Sequence, residues 1–105
     1  MICRLWRGWT TPENADAYER IVRAEVIPGI EARRIPGFRQ IDLMKRDLGD
    51  AIEFQTLMWF DSLDAIRDFM GEDYTVSHVP LEARAVLDRF DDRAAHYEVI
   101  DRSEQ

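Results

Sequence analysis

Apolar side chains recur along this chain in two rhythms, and the switches between them mark its elements. Ile2 to Trp9 mixes β-branched, aromatic and long residues and stops at Thr10-Thr11-Pro12, which reads as a strand ending where a helix begins. Thr11 is a good N-cap, Pro12 takes the first helical position, and Tyr18, Ile21, Val22 and Val26 follow at helical spacing. An amphipathic helix is predicted from about Pro12 to Ile27. Pro28-Gly29 should kink or break it, because proline lacks the backbone donor and clashes with the preceding turn. Ile30 to Arg34 can hold another short turn before Pro36-Gly37 closes the segment.

Phe38 to Arg46 and Ala51 to Phe60 are strand-like, and Asp47-Leu48-Gly49-Asp50 between them has the residues of a short hairpin connection, so the two strands should pair antiparallel. Asp61 or Ser62 can cap a helix carrying Ile66, Phe69 and Met70, which Gly71 ends. Pro80 opens a further helix with Ala83, Val86, Leu87 and Phe90 on one stripe, and Ala95 to Ile100 makes a last strand. The order is β-α-β-β-α-β, the ferredoxin-like α+β arrangement: a four-stranded antiparallel sheet with helices on one face.

The alternation within the strands then separates two faces. Ile52, Phe54, Thr56, Met58 and Phe60 are apolar enough to lie under the helices, which turns Glu53, Gln55, Leu57 and Trp59 outward. By the same pleat logic Arg4 and Trp6 are expected on the outward side, and Cys3, Leu5, Arg7 and Trp9 on the other. A sheet face bearing Trp and Leu is seldom left in water, since burying apolar area gains roughly 25 cal/mol per Å². A homodimer packed sheet to sheet would cover it. The same packing leaves a partly polar cavity between each sheet and its own helices.

Composition narrows the function more than it names it. At 105 residues, with no repeat or Pro/Gly/Ser-rich linker, residues 1–100 read as one domain followed by a short polar tail, 101–105. Hydrophobic residues at 46% and charged residues at 33% predict a packed core. Fourteen basic against twenty-one acidic residues give −7, which argues against nucleic acid and anionic membrane surfaces as partners. No apolar run is long enough to cross a bilayer, and the first residues lack a signal peptide's apolar stretch, so a cytoplasmic location is expected. Cys3 stands alone and reads as a small buried strand residue.

Several segments resemble the antibiotic biosynthesis monooxygenase family: Arg4-Leu5-Trp6-Arg7-Gly8-Trp9-Thr10 with Glu13 to Glu19, Pro36-Gly37-Phe38, Trp59-Phe60-Asp61-Ser62-Leu63-Asp64-Ala65-Ile66, Phe69 to Tyr74, and His96-Tyr97-Glu98-Val99. The resemblance spans nearly the whole chain. It implies the dimeric α+β barrel, in which two ferredoxin-like subunits join through their sheets. It also implies oxidation of small aromatic molecules without metal or flavin, or, in another branch, haem binding and degradation. The haem-degrading branch has an Asn on the first strand and a Trp on the second helix; this chain has no Asn on that strand and Phe69 at the helix position. His78 alone falls near that branch's ligand position.

A cofactor-free oxygenase needs a water-excluding cavity, a base or donor that favours the phenol's anion, and room for oxygen beside the activated carbon. Candidates for the base or donor are His78, His96 and Arg4; Trp6, Trp59, Phe69 and Tyr74 are candidate aromatic walls for a small hydrophobic, phenol- or quinone-like substrate. His78 faces either the cavity or water. His96 serves either catalysis or a structural hydrogen bond. Arg4 either orients an anionic substrate or pairs with Glu53 or Glu98. Glu72-Asp73 and Asp91-Asp92 lack the spacing of a calcium loop, and neither a metal nor another cofactor is expected. The rival to an enzyme is a non-catalytic dimeric module that binds a small ligand; a filled interior of Trp6, Leu57 and Trp59 would favour it.

Overall fold

The computed structural model describes every residue from Met1 to Gln105. Its strands are β1 (Ile2–Thr10), β2 (Phe38–Asp47), β3 (Ile52–Phe60), β4 (Arg89–Phe90) and β5 (Ala95–Glu98). Its α-helices are α1 (Ala15–Ile21), α2 (Ile27–Ala32), α3 (Leu63–Met70) and α4 (Leu81–Val86). The sheet runs β2-β3-β1 and is antiparallel throughout, with β4 and β5 both paired to the far edge of β1. This is the α+β, ferredoxin-like arrangement with an open sheet.

The last position of the sheet is shared by two short strands rather than filled by one. Phe90, expected on a helix stripe, lies instead in β4. Helix α4 ends at Val86, after which Asp88 N–H donates to the Trp9 carbonyl at 2.7 Å and Asp91 N–H to the Arg7 carbonyl at 2.9 Å. The exposed edge of β1 thus captures the backbone that a longer helix would have kept for itself.

Pro28 does not break the first helical region. Between α1 and α2 the chain widens into a π-helix, Val22–Val26, and Ile27 N–H reaches back to the Val22 carbonyl. A π turn lets the helix pass a residue that has no N–H to donate and whose ring would strike the turn before it. At the start of α3, Ser62 Oγ accepts from Ala65 N–H at 3.2 Å. The β2–β3 turn closes through Leu48 N–H to Ala51 carbonyl at 2.8 Å, with Gly49 at φ 94°.

The β1–β3 register sets the faces. Ile2, Arg4, Trp6, Gly8 and Thr10 stand opposite Phe60, Met58, Thr56, Phe54 and Ile52. These β3 residues do meet the helical layer, but so do Arg4 and Trp6, which corrects their expected outward placement. Gly8 makes the inward course of Trp6 possible: a Cβ there would sit 2.9 Å from Trp6 Cη2 and 3.0 Å from Leu87 Cδ2. The outward face carries Cys3, Leu5, Arg7 and Trp9 beside Glu53, Gln55, Leu57 and Trp59. Cys3 is a free, buried thiol.

Under the helices the core divides in two. Ala15, Tyr18, Val22, Phe54 and Ala83 form one cluster; Met58, Phe60, Ala65 and Ile66 form the other. Phe54, Phe60 and Ile66 are almost wholly buried, each worth roughly 1.5–3 kcal/mol of transfer free energy. Thr56, midway between Phe54 and Met58 on the inward side of β3, belongs to neither cluster.

Candidate functional site

The gap between those clusters is a cavity of about 540 Å³, within the size range of small-molecule sites. Its floor is the sheet, where Arg4 faces Met58 and Trp6 faces Thr56 across β1–β3, with Ile41 next to Met58 on β2. Tyr18 and the π-helical residues Val22, Glu25 and Val26 line one wall, so the widened turn that accommodates Pro28 also shapes the cavity. Phe69 and Met70 of α3 and the segment Ser77-His78-Val79-Pro80 complete it. That segment is tied to the strand leading into β5 by Ala94 N–H to Thr75 carbonyl at 2.7 Å and Ser77 N–H to Asp92 carbonyl at 2.9 Å.

Arg4 is the unusual residue here. It is only 6% exposed, yet no carboxylate lies within ion-pair distance. Its Nη2 donates to the Val76 carbonyl at 3.3 Å, and its Nε is buried with no partner. The expected pairing with Glu53 or Glu98 does not form; Glu53 bonds Arg46 on the outward face at 3.0 Å. Desolvation lowers the Arg4 guanidinium to about 10, so it remains a cation at neutral pH. A buried, unpaired charge is costly unless something else answers it.

Trp6 is fixed by its indole N–H, which donates to the Asp91 carbonyl at 2.9 Å, and by contact with Phe90 at 6.1 Å between ring centroids. Phe69 is clamped beneath Arg33, whose guanidinium lies 4.7 Å from the ring centre and donates to the Phe69 carbonyl at 3.0 Å. Both aromatics present rigid apolar surface to the cavity.

The structure brings Arg4, Trp6, Phe69 and His78 together around this cavity. His78 is exposed, at its solvent side. Three expected site residues lie elsewhere. Trp59 is on the opposite face of the sheet, where its indole donates to Asp42 Oδ2 at 3.0 Å and Arg102 of the tail lies 5.4 Å from its ring centre. Because β3 alternates, Trp59 cannot share a side with Thr56 and Met58. Tyr74 packs edge-on against His96 at 5.1 Å and joins the Phe60 cluster. His96 stands directly opposite Arg4 in the β1–β5 ladder but does not line the cavity. Burial, with the Arg4 charge beside it, pushes its imidazole below the ordinary value, and its Nε2 has no partner.

Tyr18 escapes a sequence reading as a site residue because it fits the apolar stripe of the first helix. It is 3% exposed, packs on Phe54 at 4.7 Å, and lines the cavity. Burial pushes its phenol well above the ordinary value, so at neutral pH it is a donor and not an anion. Its only signal in the sequence is a polar atom on a stripe otherwise made of aliphatic residues.

No group of three or more His, Cys, Asp or Glu side chains is arranged to hold a metal ion. No helix is long and apolar enough to cross a membrane.

Two solved structures share this architecture along nearly their whole length. One is a Bacillus cereus protein provisionally named an antibiotic biosynthesis monooxygenase, with a TM-score of 0.66 and 13% identity over 99% of this chain and 97% of that one. The other is Rv0793 from Mycobacterium tuberculosis, with a TM-score of 0.63 and 19% identity over 98% of each chain. No family model and no curated protein matches the sequence. At these identities the likeness is one of fold alone.

Proposed function

We propose that this chain is a monooxygenase-like enzyme that oxidises a small hydrophobic phenol- or quinol-type molecule inside the cavity, without a metal or organic cofactor, and that it works as a homodimer joined through the outward sheet face. The observation that carries the reading is the cavity itself: an apolar space between sheet and helices, walled by Trp6 and Phe69, with Arg4 and Tyr18 as polar donors at its lining. A filled interior would have favoured a module without a site. Of the three side chains that would have made such an interior, Trp6 lies on the helical side of the sheet and Leu57 and Trp59 on the other.

The chemistry asks little of the protein. A ring CH₂ carbon activated by a neighbouring phenol or ketone gives up a C–H proton to a base. The carbanion, delocalised onto the ring oxygen, passes its electron pair to dioxygen as a C–O bond forms, and a proton returns to give the hydroperoxide. The hydroperoxide then loses water and leaves a carbonyl, so one oxygen atom enters the product and the other leaves as water. Arg4 and Tyr18 supply what that sequence needs from donors, since both stabilise an oxyanion in a site of low dielectric. His78, at the solvent side, is the candidate proton acceptor.

The dimer is supported by what the single chain leaves in water. Tyr97 is 59% exposed and Met44 45% exposed on the outward face. Leu5, Leu57 and Trp59 beside them are only half-buried. All the helices lie on the other side.

Oxygen uptake against a panel of phenols, anthrone-like ketones and quinols tests the reaction. Consumption of one oxygen molecule per molecule of product is expected for at least one class. A panel that is inert throughout contradicts the proposal.

A further inference from the structure

We infer that the ligand this cavity is built for carries a permanent negative charge, and that it is a flat hydrophobic monocarboxylate whose carboxylate sits on the Arg4 guanidinium. The inference rests on the cavity being the binding site, as proposed above, and adds a class of ligand that the oxygenase reading does not require.

Arg4 is a cation only 6% exposed, on the floor of an otherwise mostly apolar cavity, with one hydrogen bond to a neutral carbonyl at 3.3 Å and no counter-ion. No carboxylate of the fold answers the charge at this position. Its neighbours across the sheet are Met58 on β3 and His96 on β5. Neither brings a negative charge, and His96 is itself kept neutral partly by Arg4. An aliphatic residue would fill the same floor at lower cost, so the charge is accounted for only by a ligand that neutralises it.

The other ionic groups of the lining set the ligand's charge. Glu25 and Arg33 are of opposite sign and both exposed, at the helical side, where water screens them. Arg4 is the only buried charge, so a single negative charge balances the interior and a dianion would leave one uncompensated. A guanidinium presents its donors as a planar fork that fits the two oxygens of a carboxylate better than the single oxygen of a phenolate. The body of the molecule then lies along Trp6, Met58 and Phe69, which favours a fused aromatic ring system over a flexible chain.

Calorimetric titration of the full chain with 2-naphthoate, 2-naphthamide and 2-naphthol at neutral pH tests this. The three share one ring body and differ in presenting a carboxylate, a neutral amide and a neutral phenol. Naphthoate should bind roughly tenfold to a hundredfold more tightly than either of the others. Arg4→Met should abolish that preference while its melting temperature holds or rises, which separates a lost binding group from a lost fold. Arg4→Lys should retain part of the preference. Equal affinity for the amide, tighter binding of naphthol, an unchanged preference in Arg4→Met, or no binding of any of the three overturns the inference. An oxygen electrode run on the same protein and its Arg4 variants with the panel of phenols, anthrone-like ketones and quinols keeps the two proposals apart. Carboxylate binding with no turnover of any phenol leaves this inference standing and removes the oxygenase. Turnover of neutral phenols with no dependence on Arg4 does the reverse.

Discussion

Arg4 and His96 face each other across the β1–β5 ladder, both turned toward the helical layer, and each carries a buried nitrogen with no hydrogen-bond partner. Two polar groups left unsatisfied side by side are expensive, roughly 1–3 kcal/mol each where burial is complete. They identify where the fold gives up stability next to its cavity.

His96 makes that cost visible as a pH dependence. Its imidazole lies below the ordinary value of 6.5 in the folded protein, because of burial first and Arg4 second. Between the two values the unfolded chain binds the proton and the folded one does not, so stability is fully present above pH 6.5 and falls as the pH drops below it. The ion-paired carboxylates Glu19 and Glu53 act in the same direction, only below their ordinary 4.5. Urea midpoints measured from pH 7.5 downward should therefore decline before the carboxylates titrate. His96→Gln should flatten that first decline; an equally steep decline in the variant would assign it elsewhere.

Thr10 offers a second unsatisfied group away from the cavity. It is fully buried opposite Ile52, and its hydroxyl has no partner. Thr10→Val keeps the shape and removes the orphaned oxygen, and should raise the free energy of unfolding by about 1 kcal/mol. A denaturant melt showing a loss of that size would mean the hydroxyl is satisfied in solution.

Gly37 couples the start of β2 to α3. Its φ is 82°, its carbonyl accepts from Asp61 N–H at 2.8 Å, and a Cβ there would lie 2.9 Å from Ala65 Cβ. Gly37→Ala combines left-handed strain with a clash against the buried face of α3, and should destabilise by about 2 kcal/mol or more. Gly29, inside α2, is the contrasting case: its backbone is helical and nothing lies within 4 Å of where an alanine methyl would stand, so Gly29→Ala should stabilise by about 0.5–1 kcal/mol. Thermal melts of the two variants moving in the same direction would contradict this reading.

The outward face gives the test of association. Leu57→Glu places a charge between Leu5 and Asp42 on the outward face, next to Trp59, without touching the helical core. Light scattering should report a dimer for the parent chain at micromolar concentration and a monomer for the variant. A parent chain that is monomeric under those conditions removes the dimer from the account.

Most of the fold is legible in the sequence because the period-2 alternation of β3 is clean: Phe54, Met58 and Phe60 can point only one way. The faces of β1 are not legible, because that strand has aromatics on both sides and a charge on each. Sequence alone turns Arg4 outward by pleat logic, which without the β1–β3 register has nothing to fix which face of β1 lies under the helices. The register with β3, and the room that Gly8 gives Trp6, decide otherwise. For the same reason a reading of the sequence groups Trp59 with residues from which the sheet separates it. Tyr18 is hidden by its own periodicity, and the passage of Pro28 through a π turn depends on a backbone option that residue propensities do not encode.

The claim on which the functional account depends is that the ligand enters between Trp6 and the helices, not onto the face of Trp59. The chain has three tryptophans, Trp6, Trp9 and Trp59, each giving a separate indole N–H signal in a ¹⁵N correlation spectrum. Titration with 2-naphthoate should shift the Trp6 signal, which lines the cavity, and leave that of Trp59 in place. A shift at Trp59 with Trp6 unmoved would contradict the account.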